Sequence, residues 1–261
     1  MRGVLIAVGG RTRAALALVG RLTRLHAALL RLVARLPRLN LRLLGKITTN
    51  QVRFSGLQAT PLIAALATSI GAVSIIQSFG YLTGVADEFI GGVLVSIIVR
   101  ELGPLVTAIV LIARSGTAMA AEIGWMRLNG EIDALEAYRI DPLAFIVLPR
   151  VVAAAVSMLA LIIVFDVLGI IGGFSIAFLL TDLSFPLLWS RVTSALTNMD
   201  VALTVLKAVL FGETVAALCC HFGLNVKQSP TELPQAVTKA VVASLAGVFL
   251  IDGALAAAFF L

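Results

Sequence analysis

Acidic residues are absent from the first 86 positions of this 261-residue chain; the first is Asp87. Charge is scarce throughout, at 13% Asp, Glu, Lys and Arg, where an average soluble domain carries about 25%. Most of the surface therefore does not face water, which excludes an ordinary soluble globular protein. Cysteine is limited to the adjacent pair Cys219 and Cys220 in an apolar run. Neighbouring cysteines rarely bridge and no C-x-x-C spacing occurs, so both read as small buried apolar residues rather than a disulfide or redox motif. Histidine is limited to His26 and His221, which form no metal set. The sequence has no G-x-x-x-x-G-K-S/T phosphate loop, no H-E-x-x-H and no G-x-S-x-G. Were the protein driven by ATP, the ATPase would be another chain.

What is present is hydrophobic sequence, 60% of the residues. No charge occurs between Phe54 and Ala86, and a helix needs about 20 apolar residues to cross a bilayer. The pattern predicts an all-α polytopic membrane protein with spans near 57–82, 89–113, 143–181, 201–222 and 240–261. Polar segments at 114–141 and 223–238 and loops at 83–88 and 182–200 separate them. The third run is longer than a bilayer core requires, so it is expected to tilt or to extend into water.

Eleven of the twenty Lys/Arg residues lie in positions 1–53. Arg11, Arg13, Arg21, Arg24, Arg31, Arg35, Arg38 and Arg42 recur among Leu and Ala at spacings that suit a helix with one basic and one apolar face. Residues 1–46 are thus expected to form an interfacial amphipathic region, and residues 47–261 the membrane domain. The basic block adjoins an apolar span, which favours anionic lipid headgroups over nucleic acid as its partner. An organelle transit peptide is the rival reading, but no Ser precedes Ser55. The basic residues concentrate in the N-terminal segment, in 114–150 and in 223–239, which predicts a cytoplasmic N-terminus and a C-terminus on the opposite side.

The strongest local signal is Arg100-Glu101-Leu102-Gly103-Pro104. Eleven uncharged residues precede Arg100, and twelve separate Glu101 from Arg114. A count along the chain puts the charged pair near the middle of the second span, where charges face protein or a water-filled cavity. Pro104 has no N–H, so the carbonyl of Arg100 loses its α-helical donor, and Gly103 weakens the helix further. A kink with exposed backbone is expected, forming either a cavity wall that meets a polar headgroup or a buried ion pair that holds helices together. Asp166, Lys207, Glu213 and Asp252 are further charges within spans, available for pairing across helices or for lining a path. Gly71, Gly91-Gly92 and Gly172-Gly173 are expected to allow close helix approach.

A second signal is Glu131-Ile132-Asp133-Ala134-Leu135-Glu136, preceded by Asn129-Gly130 and followed by Asp141-Pro142. These read as the start and stop of a short helix. It fits either docking into a groove of a partner protein or simple solvation of a loop. Tyr81 closes the first span as an interfacial anchor or a portal residue, and Ile75, Ile76 and Phe79 before it suit helix packing.

The run from 100 to 150 resembles the MlaE/YrbE family of permeases, the membrane subunits of ABC transporters that work with MCE-domain proteins. The resemblance rests on Arg100 to Pro104, Ala113-Arg114-Ser115-Gly116, Ala120-Ala121-Glu122-Ile123-Gly124, Glu131 to Ala137, Ile140-Asp141-Pro142 and Leu148-Pro149-Arg150. It begins near Gly45 and covers most of the chain. It implies a homodimer in a bacterial inner membrane, two cytoplasmic ATPase subunits that hold ATP and Mg, a periplasmic MCE protein, and phospholipid as cargo. No cofactor is expected in this chain. By the same resemblance, Glu131 to Glu136 form the coupling helix to the ATPase. Arg100, Glu101, Tyr81, Phe79, Ile76 and Ile75 line the lipid cavity, and Gly103 and Pro104 make the kink. Two other readings stand beside it: a proton-coupled secondary transporter using Glu101, Asp166 and Glu213, and a non-transporting membrane scaffold.

Overall fold

The computed structural model describes residues 41–81, 91–92, 94–180, 185–227 and 229–260. The described residues are overwhelmingly helical and form no strand. Five helices are long and apolar enough to cross a membrane. The expected basic region 1–46 lies outside the described residues up to position 40, as does the loop carrying Asp87 and Glu88.

Helix α1 (Leu41–Ser55) leads through a short 3-10 turn (Leu57–Ala59) into α2 (Thr60–Tyr81). It crosses the expected boundary at residues 46 and 47. Its last residue, Ser55, is buried, while Thr49, Asn50 and Arg53 are exposed, so α1 is two-faced. The Arg114 guanidinium pins the corner between α1 and α2 by donating to the Gln58 carbonyl and to Gln58 Oε1, the latter at 2.8 Å.

The second span, α3, runs over Val95–Leu128. It corrects the expected end at residue 113. The charges read as a loop ride on a continuous helix, each with a partner from elsewhere. Arg114 holds Gln58, Glu122 pairs with Arg150 at 2.9 Å, and Arg127 pairs with Asp133. At about 1.5 Å per residue, a helix this long extends well past a hydrocarbon core of about 30 Å. Its last turns can therefore carry charge.

Helix α4 (Glu131–Ala137) sits where the start and stop signals place it. Gly130 supplies a left-handed φ of 75° at its entrance. At its exit Arg139 adopts φ 57°, the αL position that glycine more often fills. There Arg139 N–H donates to the Glu136 carbonyl and Ile140 N–H to that of Leu135, each at 2.9 Å, which closes the helix.

A π-helical turn (Leu143–Val147) opens the third span, and α5 (Leu148–Leu180) completes it. This span agrees with the expected 143–181. The segment expected as a plain loop over 182–200 instead contains helix α6 (Phe185–Ala195), with Phe185 and Trp189 exposed. Its length is too short to cross a bilayer, and its apolar residues suit the interface. The fourth span is α7 (Asn198–Leu224), and the fifth is α8 (Glu232–Phe260), which begins eight residues before the expected 240.

Helix α5 is the shared wall of two apolar cores. On one side it joins α2, the start of α3 and α6 around Ile63, Ile98, Phe165 and Phe174. On the other it joins α3, α7 and α8 around Ile112, Met158, Phe211 and Val215. Glycine lets the backbones meet. A Cβ at Gly71 would run into the backbone of Gly169 and Gly173, and one at Gly172 into the backbone of Thr68. Close approach of this kind is how membrane helices gain dispersion energy where lipid offers no hydrophobic contrast.

Candidate functional site

The first part of α3 is a π-helix from Val95 to Leu102, and the α-helical part begins at Gly103. Pro104 stands in the first turn of that part, where a missing N–H costs least. Gly103 has a separate reason to lack a side chain: a Cβ there would collide with the Asp166 carboxylate and the Ile98 carbonyl. Gly103-Pro104 thus marks a change of helical winding at the point where α3 touches α5.

Immediately before this junction, charges from three spans converge. The Arg100 guanidinium donates to both carboxylate oxygens of Asp200, at 2.7 and 3.2 Å. Asp200 is itself fixed, since its carboxylate accepts from the Thr197 N–H at 2.9 Å and hydroxyl at 2.8 Å and so closes the first turn of α7. The Lys207 ammonium donates to the Arg100 carbonyl at 2.7 Å. It also forms an ion pair with Asp252 on α8 at 2.7 Å and lies 3.6 Å from Glu101. Lys207 and Asp252 are almost fully buried, whereas the Glu101 side chain is 39% exposed. Arg100 is therefore beside the first turn of α7, and Glu101 beside its third.

A cavity of about 570 Å³ lies between α2 and the π-helical part of α3; Ile97 and Leu102, which flank Arg100 and Glu101 in the chain, line it, and the two charged residues are not among its lining residues. Ser69, Val73, Gln77 and Ser78 of α2 face Ile97 and Leu102 of α3 across it. The hydroxyls are occupied: Ser69 donates to the Ala65 carbonyl at 2.8 Å and Ser78 to that of Ser74 at 2.7 Å. Ile76 is exposed on α2, at 53%, while Ile75 is fully enclosed against α5 near Gly173. The α2 backbone carries Phe79 and Tyr81, whose side chains lie outside the described residues. A second, nearly apolar cavity of about 440 Å³ lies between α5, α6 and the start of α7, with Asp166 on its wall.

At the other end of α3, α4 is anchored by Ile132, which is 2% exposed, and by the partly buried Leu135. Glu131, Asp133, Ala134 and Glu136 point outward. A polar cavity of about 700 Å³ adjoins this helix, lined by Arg127, Asn129, Asp133, Asn225 and Lys227. Among the described residues no group of three His, Cys, Asp or Glu could hold a metal ion.

The sequence named Arg100, Glu101, Lys207 and Asp252 but not Asp200 or Gln77. Thr197-x-x-Asp200 was a legible capping signal; its engagement with Arg100 was not, since it joins residues a hundred positions apart. Gln77 had no signal beyond being a carboxamide in an apolar span.

The chain is 31% identical over 195 residues to the "Probable ABC transporter permease protein RP096" of Rickettsia prowazekii, covering 74% of this chain and 75% of that one. It is 32% identical over 211 residues to the "Probable ABC transporter permease protein slr1045" of Synechocystis, covering 78% of each. It is 30% identical over 198 residues to the "Intermembrane phospholipid transport system permease protein MlaE" of Haemophilus influenzae, covering 75% of this chain and 76% of that one. A family profile described as Permease MlaE matches residues 48–258. That match takes in all five spans, the charged junction and α4, and the chain belongs to the MlaE permease family.

Proposed function

We propose that this chain is the membrane-spanning permease subunit of an ABC transporter that moves phospholipid between a bacterial inner membrane and a periplasmic MCE-domain protein, and so helps to maintain outer-membrane lipid asymmetry. Two copies act together, with the N-terminus cytoplasmic and the C-terminus periplasmic. ATP and Mg are held by cytoplasmic ATPase subunits. The family match over 48–258 carries this reading, and the Haemophilus relative's name supplies the cargo class.

The geometry supports a division of labour along α3. At one end α4 presents an acidic, exposed face on a short rigid helix, suited to a groove in the ATPase. At the other end the cavity between α2 and α3 offers apolar walls for acyl chains beside a charged junction for the headgroup. Helix α3 connects the two, so movement of α4 by the ATPase is transmitted to the cavity wall.

The test is native mass spectrometry of the protein gently purified from its own host. An associated ATPase, an MCE protein, a second copy and bound phospholipid are expected. A lone chain in several mild detergents, with pH-dependent transport in liposomes, would overturn the reading in favour of a proton-coupled carrier.

A further inference from the structure

Two cations and three carboxylates meet at the junction of α3, α7 and α8: Arg100 and Lys207 with Glu101, Asp200 and Asp252. The formal charge of these five is one negative. Both cations are engaged, Arg100 in a two-point contact with Asp200, Lys207 with Asp252 and the Arg100 carbonyl. The Glu101 carboxylate is the most exposed and most distantly paired member, 3.6 Å from Lys207. A site built to attract an anionic phosphate would leave a guanidinium or ammonium for it; among the described residues, this one leaves a carboxylate.

Gln77 is the second, independent observation. It is exposed on the cavity face of α2, and its carboxamide makes no side-chain hydrogen bond among the described residues. A carboxamide within an apolar span is costly unless water or a ligand satisfies it. Its NH2 can bind a lipid phosphate or ester oxygen without contributing charge. Glu101 follows Ile97 by four residues and precedes Leu102, both of which line the same cavity.

Resting on the lipid-cavity reading, we infer that the site prefers phospholipids whose headgroup ends in an ammonium over anionic ones, with Glu101 as the specificity-determining residue and Gln77 as a neutral donor to the lipid's phosphate or ester oxygens. The ammonium of the headgroup meets Glu101. A net anionic headgroup has no counter-charge there and is disfavoured by the surplus carboxylate.

The test uses the full transporter in nanodiscs of equal phosphatidylethanolamine and phosphatidylglycerol, with retained lipid quantified after extraction into detergent. The wild type is expected to retain phosphatidylethanolamine in about twofold to fivefold excess, the range a single partly exposed charge pair supplies. Glu101→Gln, which keeps size and shape, removes the excess. Gln77→Leu lowers total lipid and leaves the ratio unchanged. Glu101→Asp, which keeps the charge, retains the preference and guards against a fold defect in the amide variant. Equal retention of both lipids by the wild type, or a preference that survives in Glu101→Gln, overturns the inference and leaves the transporter reading standing. No retained lipid in any variant overturns both.

Discussion

The ammonium of Lys207 donates at 2.7 Å to the carbonyl of Arg100, the group that an α-helical N–H at position 104 would bond and that Pro104 has none to offer. A side chain of α7 thereby bonds the backbone of α3 just before its winding changes. The same ammonium neutralises Asp252 on α8, so one buried group ties three spans together. Removing it leaves a buried carboxylate without its counter-ion, a loss that costs about 3–5 kcal/mol. Lys207→Met is expected to lower the thermal midpoint in detergent markedly. The double variant Lys207→Met with Asp252→Leu removes both charges and should recover most of the loss, since an apolar replacement of a whole buried pair is often neutral. A double variant whose midpoint falls by the sum of the two single-variant shifts would show that the two residues act independently.

Arg100 and Asp200 make a different kind of pair, because Asp200 also caps α7. Asp200→Ala loses the cap and the ion pair together. Asp200→Asn keeps an oxygen for Thr197 and loses only the charge. The cap alone contributes about 1 kcal/mol, so the alanine variant is expected to melt below the asparagine variant. Arg100→Lys retains charge but not the two-point contact, and its midpoint should fall below the wild type's. Thermal unfolding of the four proteins in one detergent orders them.

The contact of α2 with α5 makes a sharper steric claim. A methyl at Gly71 would meet the backbone of Gly169, which cannot rotate away as a side chain would. Gly71→Ala is therefore expected to destabilise by about 1–3 kcal/mol, the usual cost of overpacking. Gly253→Ala on α8 meets nothing within 4 Å and should leave the isolated chain's midpoint unchanged.

Spans and the short helix were legible because each has a local signature. Apolar length gave the five crossings, Asn129-Gly130 and Asp141-Pro142 framed α4, and Gly103-Pro104 marked the junction. The second span was misjudged because Arg114, Glu122 and Arg127 look like loop charges in one dimension. Their partners Gln58, Arg150 and Asp133 become visible only when helices are packed. Helix α6 was hidden because Phe185 to Ala195 is too short and too mixed to register as a span. The pairing of Arg100 with Asp200 depends on the register of α3 against α7, a property of tertiary packing that no local pattern encodes.

Helix α4 separates its anchoring residues from its outward ones, and that separation can be tested. Ile132 is 2% exposed and belongs to the core around α3. Ile132→Ala is expected to destabilise by about 2–5 kcal/mol, as buried truncations do, and to reduce ATPase coupling because the helix loses its seat. Glu131 and Glu136 are exposed, so their replacement by Ala should move the thermal midpoint little. If α4 transmits ATP-driven motion, the same exposed changes should still uncouple lipid transport from hydrolysis in the assembled transporter. The diagnostic result is the split: near-normal melting with a several-fold loss of lipid transport per ATP hydrolysed. Unchanged transport in Glu131→Ala/Glu136→Ala, with the complex intact, would assign the exposed face of α4 to solvation alone.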